Sequence, residues 1–75
     1  MTITGQQVKA ARFLLGWSQE KQAGEAGLSK LTVRNFETGK GRPIVRTVRK
    51  IQRAFEAAGV EFVDGEPGVK LKAKP

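Results

Sequence analysis

The stretch QEKQAGEAGLSKLTVRNF, residues 19–36, contains two short runs with helical spacing that meet at Gly27. Ser29 stands where its hydroxyl can cap the second run. In that run Val33 and Phe36 are three residues apart, so they share one side of a helix. The spacing therefore predicts a short helix that is apolar on one side and rich in hydrogen-bonding groups on the other.

The flanking sequence predicts a small helical domain around this pair of runs. Thr4 and Gln7 have the spacing of a capping box, and Gly16 and Gly27 suit the left-handed residues that end helices. Apolar residues recur at helical spacing on both sides of the pair. We predict four helices, over residues 5–15, 19–26, 29–38 and 45–58.

The C-terminal part of the chain changes to the pattern of a β-hairpin. Residues 60–63 form a short β-like run, residues 64–68 read as a turn, and residues 69–72 alternate apolar and basic side chains. A hairpin of two strands is marginal in water. We therefore expect it to lean on the helices or to pair with another chain. Residues 73–75 are predicted to be a frayed tail.

Composition excludes several kinds of site. The chain has 75 residues with no cysteine and no histidine, which removes disulfides, Cys/His zinc sites, thiol nucleophiles and histidine acid–base chemistry. No phosphate-cradling glycine motif and no cluster of carboxylates stands in the sequence. We predict that the protein is not an enzyme and needs no metal or cofactor. No long apolar run and no signal-peptide pattern occurs, so we expect no membrane span and a cytoplasmic location.

Positive charge is concentrated in one part of the chain. The net charge is +7, and residues 30–53 hold eight lysines and arginines against a single acid, Glu37. Charges before and after this stretch nearly balance. A generally solvated basic surface is the alternative, but clustering favours a binding surface for a polyanion. Together with the polar side of the helix at 29–38, it points to a helix that reads a DNA groove.

Several short motifs resemble one known family when they are taken in register. Residues 17–20 (WSQE) resemble the sequence with which helix 2 opens in that family. Ala23 stands where the family has a small residue at the crossing of two helices, and Gly27 stands where the family has its turn. Residues 37–40 (ETGK) resemble its helix-ending motif. Over residues 8–58 the chain therefore resembles the Cro/C1-type, or XRE-family, helix-turn-helix DNA-binding domain. Gln22 departs from the pattern, since the family usually places leucine there.

This resemblance implies a fold and a division of the chain. The implied fold is an all-α, four-to-five-helix bundle like that of lambda repressor, followed by the short C-terminal hairpin. Residues 1–59 would be the DNA-binding domain, and residues 60–72 a hairpin extension and candidate dimerisation element. Trp17 is predicted to lie in the core or to act as a hydrophobic staple before helix 2 rather than to stack on bases. Phe13, Phe36 and Phe55 are predicted to lie in the core rather than to contact a ligand. For Phe62 the sequence does not decide between a place in the core and a place at a dimer interface.

The resemblance also implies which side chains meet DNA. The positions that match the base-contacting ones are Lys30, Leu31, Thr32, Arg34 and Asn35. The alternative is that some of these reach only phosphate. The positions that match phosphate contacts are Ser18, Gln19, Lys40 and Arg42, against the alternative of exposed polar groups and loop charges.

A structural ion pair between Arg12 and Glu37 is implied in the same way, against the alternative of two separate exposed charges. Arg46, Arg49, Lys50 and Arg53 are predicted on helix 4. Those nearest the start of helix 4 are candidates for contact with DNA phosphates, and the others are predicted to form a solvent-exposed side of the helix.

The function implied is sequence-specific binding of double-stranded DNA by a bacterial transcriptional regulator, more readily a repressor than an activator. It would be associated with the nucleoid and would bind as a homodimer on a palindromic site. The alternative is an antitoxin-like or phage-accessory module whose main partner is another protein. In that case Val69 and Leu71 of the hairpin would form the contact surface.

Overall fold

The computed structural model describes residues 3–41, 44–63 and 68–71. Four helices and two strands follow one another in this part of the chain: α1 (Gly5–Leu15), α2 (Gln19–Ala26), α3 (Lys30–Thr38), α4 (Val45–Ala57), β1 (Val60–Phe62) and β2 (Val69–Leu71). The predicted fold class, an all-α bundle with a short C-terminal hairpin, is confirmed. Most of the predicted turn at 64–68 and the predicted tail at 73–75 lie outside the described residues.

Short-range hydrogen bonds determine where the first three helices begin. The Thr4 hydroxyl accepts from the Gln7 amide at 3.2 Å, and Gln7 Oε1 accepts from the Thr4 amide at 2.8 Å, which completes the capping box. Ser18 and Ser29 cap α2 and α3 in the same way. At the start of α4 the N-cap residue is Ile44, whose apolar side chain makes no capping hydrogen bond. These caps were all readable from the sequence because they involve residues three positions apart.

The join between α2 and α3 is as tight as the sequence predicts. Gly27 adopts φ +69°, the left-handed region, and so ends α2. The Leu28 amide donates to the Ala23 carbonyl at 2.9 Å, and the next residue, Ser29, already caps α3. Because only Leu28 lies between the two caps, α3 must leave at a steep angle to α2.

Phe55 lies at the centre of the hydrophobic core. Phe55 and the buried residues that pack with it come from α1, α3, α4, β1 and the position before Thr4. We call this set the core cluster: Ile3, Val8, Ala11, Phe36, Ile51, Phe55, Val60 and Phe62. Trp17 stacks on Phe55 with ring centroids 5.4 Å apart, and Phe62 meets it edge-on at 6.0 Å. Phe62, left open by the sequence, therefore packs within its own chain.

The prediction that Phe13 is a core residue is wrong. Its side chain is 75% exposed. The buried side of α1 is formed by Gln7, Val8 and Ala11. Phe13 follows Ala11 by two positions, which places it about 200° around the helix and away from the core.

The hairpin is bound to α1 by Gln7, a residue that was predicted from the sequence only to cap that helix. β1 and β2 pair antiparallel, with Val60 opposite Leu71 and Phe62 opposite Val69. Gln7 Nε2 donates to the carbonyl oxygens of Val63 (3.2 Å) and Gly68 (3.0 Å). The same side chain thus caps α1 through its oxygen and holds both strands through its nitrogen.

A second buried glutamine has none of these contacts. Gln22 of α2 is fully buried, and neither Nε2 nor Oε1 has a hydrogen-bond partner among the residues that the structure describes. A buried amide without partners costs free energy because it loses its hydrogen bonds to water. The polar residue that departs from the family pattern therefore weakens the packing of α2.

No helix in the described part of the chain is long and apolar enough to cross a membrane.

Replacing Gly5 by alanine is expected to destabilise the protein by about 1–3 kcal/mol. A Cβ at Gly5 would lie 2.6 Å from the Phe36 carbonyl oxygen and 2.7 Å from that of Glu37, and both are backbone atoms. Gly24→Ala is the matched control, because its Cβ would meet open space. Removing that helical glycine should stabilise the protein by about 1 kcal/mol. Urea denaturation measures both, and equal effects would contradict the close approach of α1 to α3.

The two buried glutamines should respond in opposite directions to the same substitution. Gln22→Leu removes an unpartnered amide and is expected to raise the free energy of unfolding by about 1–3 kcal/mol. Gln7→Leu removes three hydrogen bonds and should lower it by about 2–3 kcal/mol. Urea denaturation followed by circular dichroism compares them. Destabilisation by both variants would mean that Gln22 is satisfied in solution.

Candidate nucleic-acid interface

Helix α3 has a buried apolar side and an exposed side that is polar except for Leu31. Val33 is fully buried and Phe36 is 8% exposed, so this side fastens the helix to the bundle. Among the residues on the rest of its surface, we call the following five the reading face: Lys30, Leu31, Thr32, Arg34 and Asn35. Of these, Lys30, Leu31 and Arg34 are exposed, and Thr32 and Asn35 are half-buried. The bundle therefore presents one side of α3 to solvent.

Ser29 orients the first turn of the reading face. Its hydroxyl accepts from the Thr32 amide at 3.1 Å and lies 2.9 Å from the Thr32 hydroxyl. The bond to Ser29 orients the Thr32 side chain, which still offers its methyl group and a free hydroxyl lone pair to a ligand.

Asn35 lies where α3, the following loop and α4 meet. A cleft of about 270 Å³ is lined by Thr32 and Asn35 of α3, Lys40 and Gly41 of the loop, and Ile44 and Thr47 at the start of α4. The Lys40 amide donates to the Asn35 carbonyl at 2.9 Å, which holds the loop against the end of α3. The structure thus brings the exposed Lys40 close to the reading face.

Helix α2 contacts α3 through Gln19. The Gln19 side chain is half-buried, and its Nε2 donates to Glu37 Oε1 at 3.3 Å. Ser18, the cap of α2, is exposed beside it, and its hydroxyl accepts from the Lys21 amide. Both predicted phosphate contacts therefore lie at the N-terminal end of α2, where Gln19 meets Glu37 of α3.

Arg12 and Glu37 form a two-point ion pair between α1 and α3. Arg12 Nε donates to Glu37 Oε2 at 2.5 Å, and Nη2 donates to Oε1 at 2.9 Å. Arg12 Nη1 also donates to the Trp17 carbonyl at 3.1 Å, in the segment before α2. The side chains are 15% and 4% exposed, so water screens the pair little. With Gln19, the pair connects the first three helices.

The remaining positive side chains of α4 stay on the surface. Arg46, Arg49, Lys50 and Arg53 are all exposed. Arg49 lines a larger cleft, of about 540 Å³, together with Lys40 and Asn35. No group of acidic, histidine or cysteine side chains able to hold a metal ion occurs in the described part of the chain.

The structure brings together those residues assigned to DNA from the sequence that lie in its described part. The reading face, Ser18, Gln19 and Lys40 lie around α3, whereas Arg42 lies outside the described residues. The sequence analysis missed Ile44 and Thr47, which border the cleft beside Asn35. The one signal in the sequence was that Ile44 is a poor N-cap; in the structure its side chain is 62% exposed.

Glu37→Gln is expected to lower the free energy of unfolding by about 3–5 kcal/mol, because it leaves the Arg12 charge buried without its partner. The double variant Arg12→Met, Glu37→Leu should recover part of this loss. Lys21→Ala, which removes the exposed Lys21–Glu25 pair, is the control and should change stability by less than about 0.5 kcal/mol. Thermal unfolding provides the comparison. A loss no larger for Glu37→Gln than for Lys21→Ala would contradict a structural ion pair.

Comparison with known proteins agrees with this geometry. The family model described as helix-turn-helix matches residues 8–62, more than half of the chain. No curated protein matches the sequence. The matched region includes α2, α3, Arg12, Glu37 and the whole reading face. The chain therefore belongs to the Cro/C1-type (XRE) helix-turn-helix family, a family of DNA-binding domains that take part in transcription regulation.

Proposed function

We propose that this protein is a transcriptional regulator that reads double-stranded DNA by placing α3 in the major groove. The observation that carries the proposal is the division of α3 into a buried apolar side and an exposed polar side. α3 has nine residues, which gives a length of about 14 Å. With its side chains an α-helix is about 10–12 Å across, and this diameter fits a major groove about 12 Å wide.

The charge around α3 supports the same proposal. Lys30, Arg34 and Lys40 are exposed, so they are available to phosphates or bases. Glu37, the single acid of the basic stretch, is buried and paired with Arg12. The carboxylate that would repel DNA is therefore withdrawn from the surface and neutralised.

Each side chain of the reading face suits particular base edges. Lys30 and Arg34 can donate to guanine O6 and N7, and Asn35 can pair with adenine N6 and N7. Leu31 is 59% exposed, and the Thr32 hydroxyl is held by Ser29. These two residues therefore offer apolar contact to the methyl group of thymine.

Ser18, Gln19, Lys40 and Arg42 are proposed to contact phosphates and so to fix the position of α3 in the groove. Gln19 can do so while it stays bound to Glu37, because the amide nitrogen carries two hydrogens and Glu37 uses one. The amides of the first turn of α2 lie nearby and favour an anion.

We further propose that the protein binds as a homodimer on a palindromic site and represses by occupying it. Half-sites about one helical turn apart would let two copies of α3 enter the same side of the duplex. The hairpin at 60–72 is the proposed dimerisation element, since Leu71 remains 50% exposed on β2. Val60 and Phe62 are buried in the core cluster of their own chain, so they are not available to a partner.

Exposed apolar side chains away from α3 favour a second candidate function. Phe13 is 75% exposed and Leu14 43% exposed at the end of α1. These residues would suit an antitoxin-like or phage-accessory module whose main partner is another protein. Val69, by contrast, packs against the core and contributes little to such a surface. A toxin gene beside this gene would favour this candidate.

Selection from a pool of random DNA duplexes tests the proposed function, and we expect a palindromic motif bound by two chains. Asn35→Ala should relax the preference at one base pair in each half-site, at a cost of about 1–3 kcal/mol. Lys40→Ala should weaken binding to all sequences similarly and reduce the salt slope by about one for each chain bound.

Lys50→Ala is the matched control for charge, since Lys50 is exposed on α4 and is assigned no DNA contact. Its motif should be unchanged. A pool that yields no motif would overturn sequence-specific binding. A motif without symmetry, bound by one chain, would overturn only the dimer.

A further inference from the structure

We propose that α2 opens as a separate unit while the rest of the domain stays folded, and that DNA binding closes it. Regions that open locally have few buried apolar contacts and weak internal support. α2 packs against both α3 and α4, but it buries only Gln22 and Ala23, and its cap Ser18 and first residue Gln19 belong to the proposed phosphate contacts. Its opening would therefore act on the DNA-binding surface directly.

The side chains of α2 bury little apolar surface. Among the residues that the structure describes, the core cluster takes members from α1, α3, α4 and β1 but none from α2. The buried residues of α2 are Gln22 and Ala23. α2 lies against α3 and α4, and Trp17 and Leu28 on either side of it pack against the core cluster. The helix itself buries only one methyl group and one amide side chain, whereas α4 buries Phe55 and Ile51.

The second observation is the state of Gln22. Both polar atoms of its side chain are buried without a hydrogen-bond partner in the described structure. The opening of α2 would return this amide to water, and the penalty for burying it would vanish. A penalty of that kind raises the population of the open form by about 5- to 150-fold relative to an apolar residue at the same place.

The third observation concerns the helix itself. α2 has eight residues, and Gly24 lies inside it with open space where a Cβ would stand. Isolated helices this short are unstable in water, and a glycine in the interior weakens them further. Gly16 and Gly27 bound the segment with left-handed conformations. The helix therefore has little stability of its own once its packing is lost.

Opening would break one of the contacts that complete the DNA-binding surface. Gln19 would leave Glu37, while Arg12 would keep its two bonds to the same carboxylate. The α1–α3 frame would remain, and the proposed phosphate contacts of α2 would separate from α3. DNA that uses those contacts selects the closed form. This coupling rests on the proposed function, whereas opening in the free protein does not.

Native-state hydrogen exchange, measured residue by residue by NMR, tests the opening. In the free full-length chain, α2 amides should exchange at least about tenfold faster than the best-protected amides of α4. Their exchange should also depend less on urea, because a local opening exposes less surface than global unfolding. α2 protection equal to that of α4, with the same urea dependence, would overturn the proposal.

Variants at position 22 test the cause. Gln22→Leu and Gln22→Met should each raise the protection of α2 amides by about 5- to 150-fold. Gln6→Leu is the matched control, since Gln6 is exposed on α1, and it should leave α2 protection unchanged. No gain for either variant at Gln22, or an equal gain for the control, would show that the buried amide does not drive opening.

A mixed-sequence DNA duplex added to saturation at low salt tests the coupling. The duplex should raise the protection of α2 amides in the wild-type chain more than that of α4 amides. An equal rise in both helices, or no rise, would overturn the coupling while leaving the result on the free chain intact.

Discussion

The buried carboxylate of Glu37 is the constraint on which the arrangement of the helices depends. It accepts two hydrogen bonds from Arg12 of α1 and one from Gln19 of α2, and it belongs to α3 itself. A carboxylate that is 4% exposed must keep such partners, since an unpaired buried charge is very costly. The angle at which α3 leaves the bundle is therefore fixed by electrostatics as well as by the packing of Val33 and Phe36.

The features that the sequence predicted correctly are those that local chemistry decides. Caps at Thr4, Ser18 and Ser29 involve residues three positions apart, and the left-handed glycine at Gly27 concerns a single residue. Phe13 shows the limit of such reasoning. An aromatic residue in an amphipathic helix favours the core, but the direction of its side chain depends on which side of α1 the other helices cover.

Contacts between distant parts of the chain account for what the sequence could not predict. Gln7 bonds to carbonyl groups 56 and 61 positions away, and nothing in a capping box indicates that its amide nitrogen holds a hairpin. Within the candidate site, the polar side of α3 was predictable from periodicity. The position of Ile44 near Asn35 was not, because it depends on where the loop after α3 places the start of α4.

The two buried glutamines show how this small domain distributes its stability. Gln7 satisfies its amide completely and joins α1 to the hairpin, so it strengthens the part of the chain that contains the core cluster. Gln22 leaves its amide without partners and weakens the one helix that adds nothing to that cluster. A chain of this size has few kilocalories of stability to lose. In the proposed opening of α2, the bonds between Arg12 and Glu37 and the packing of the core cluster stay in place, because neither uses a side chain of α2.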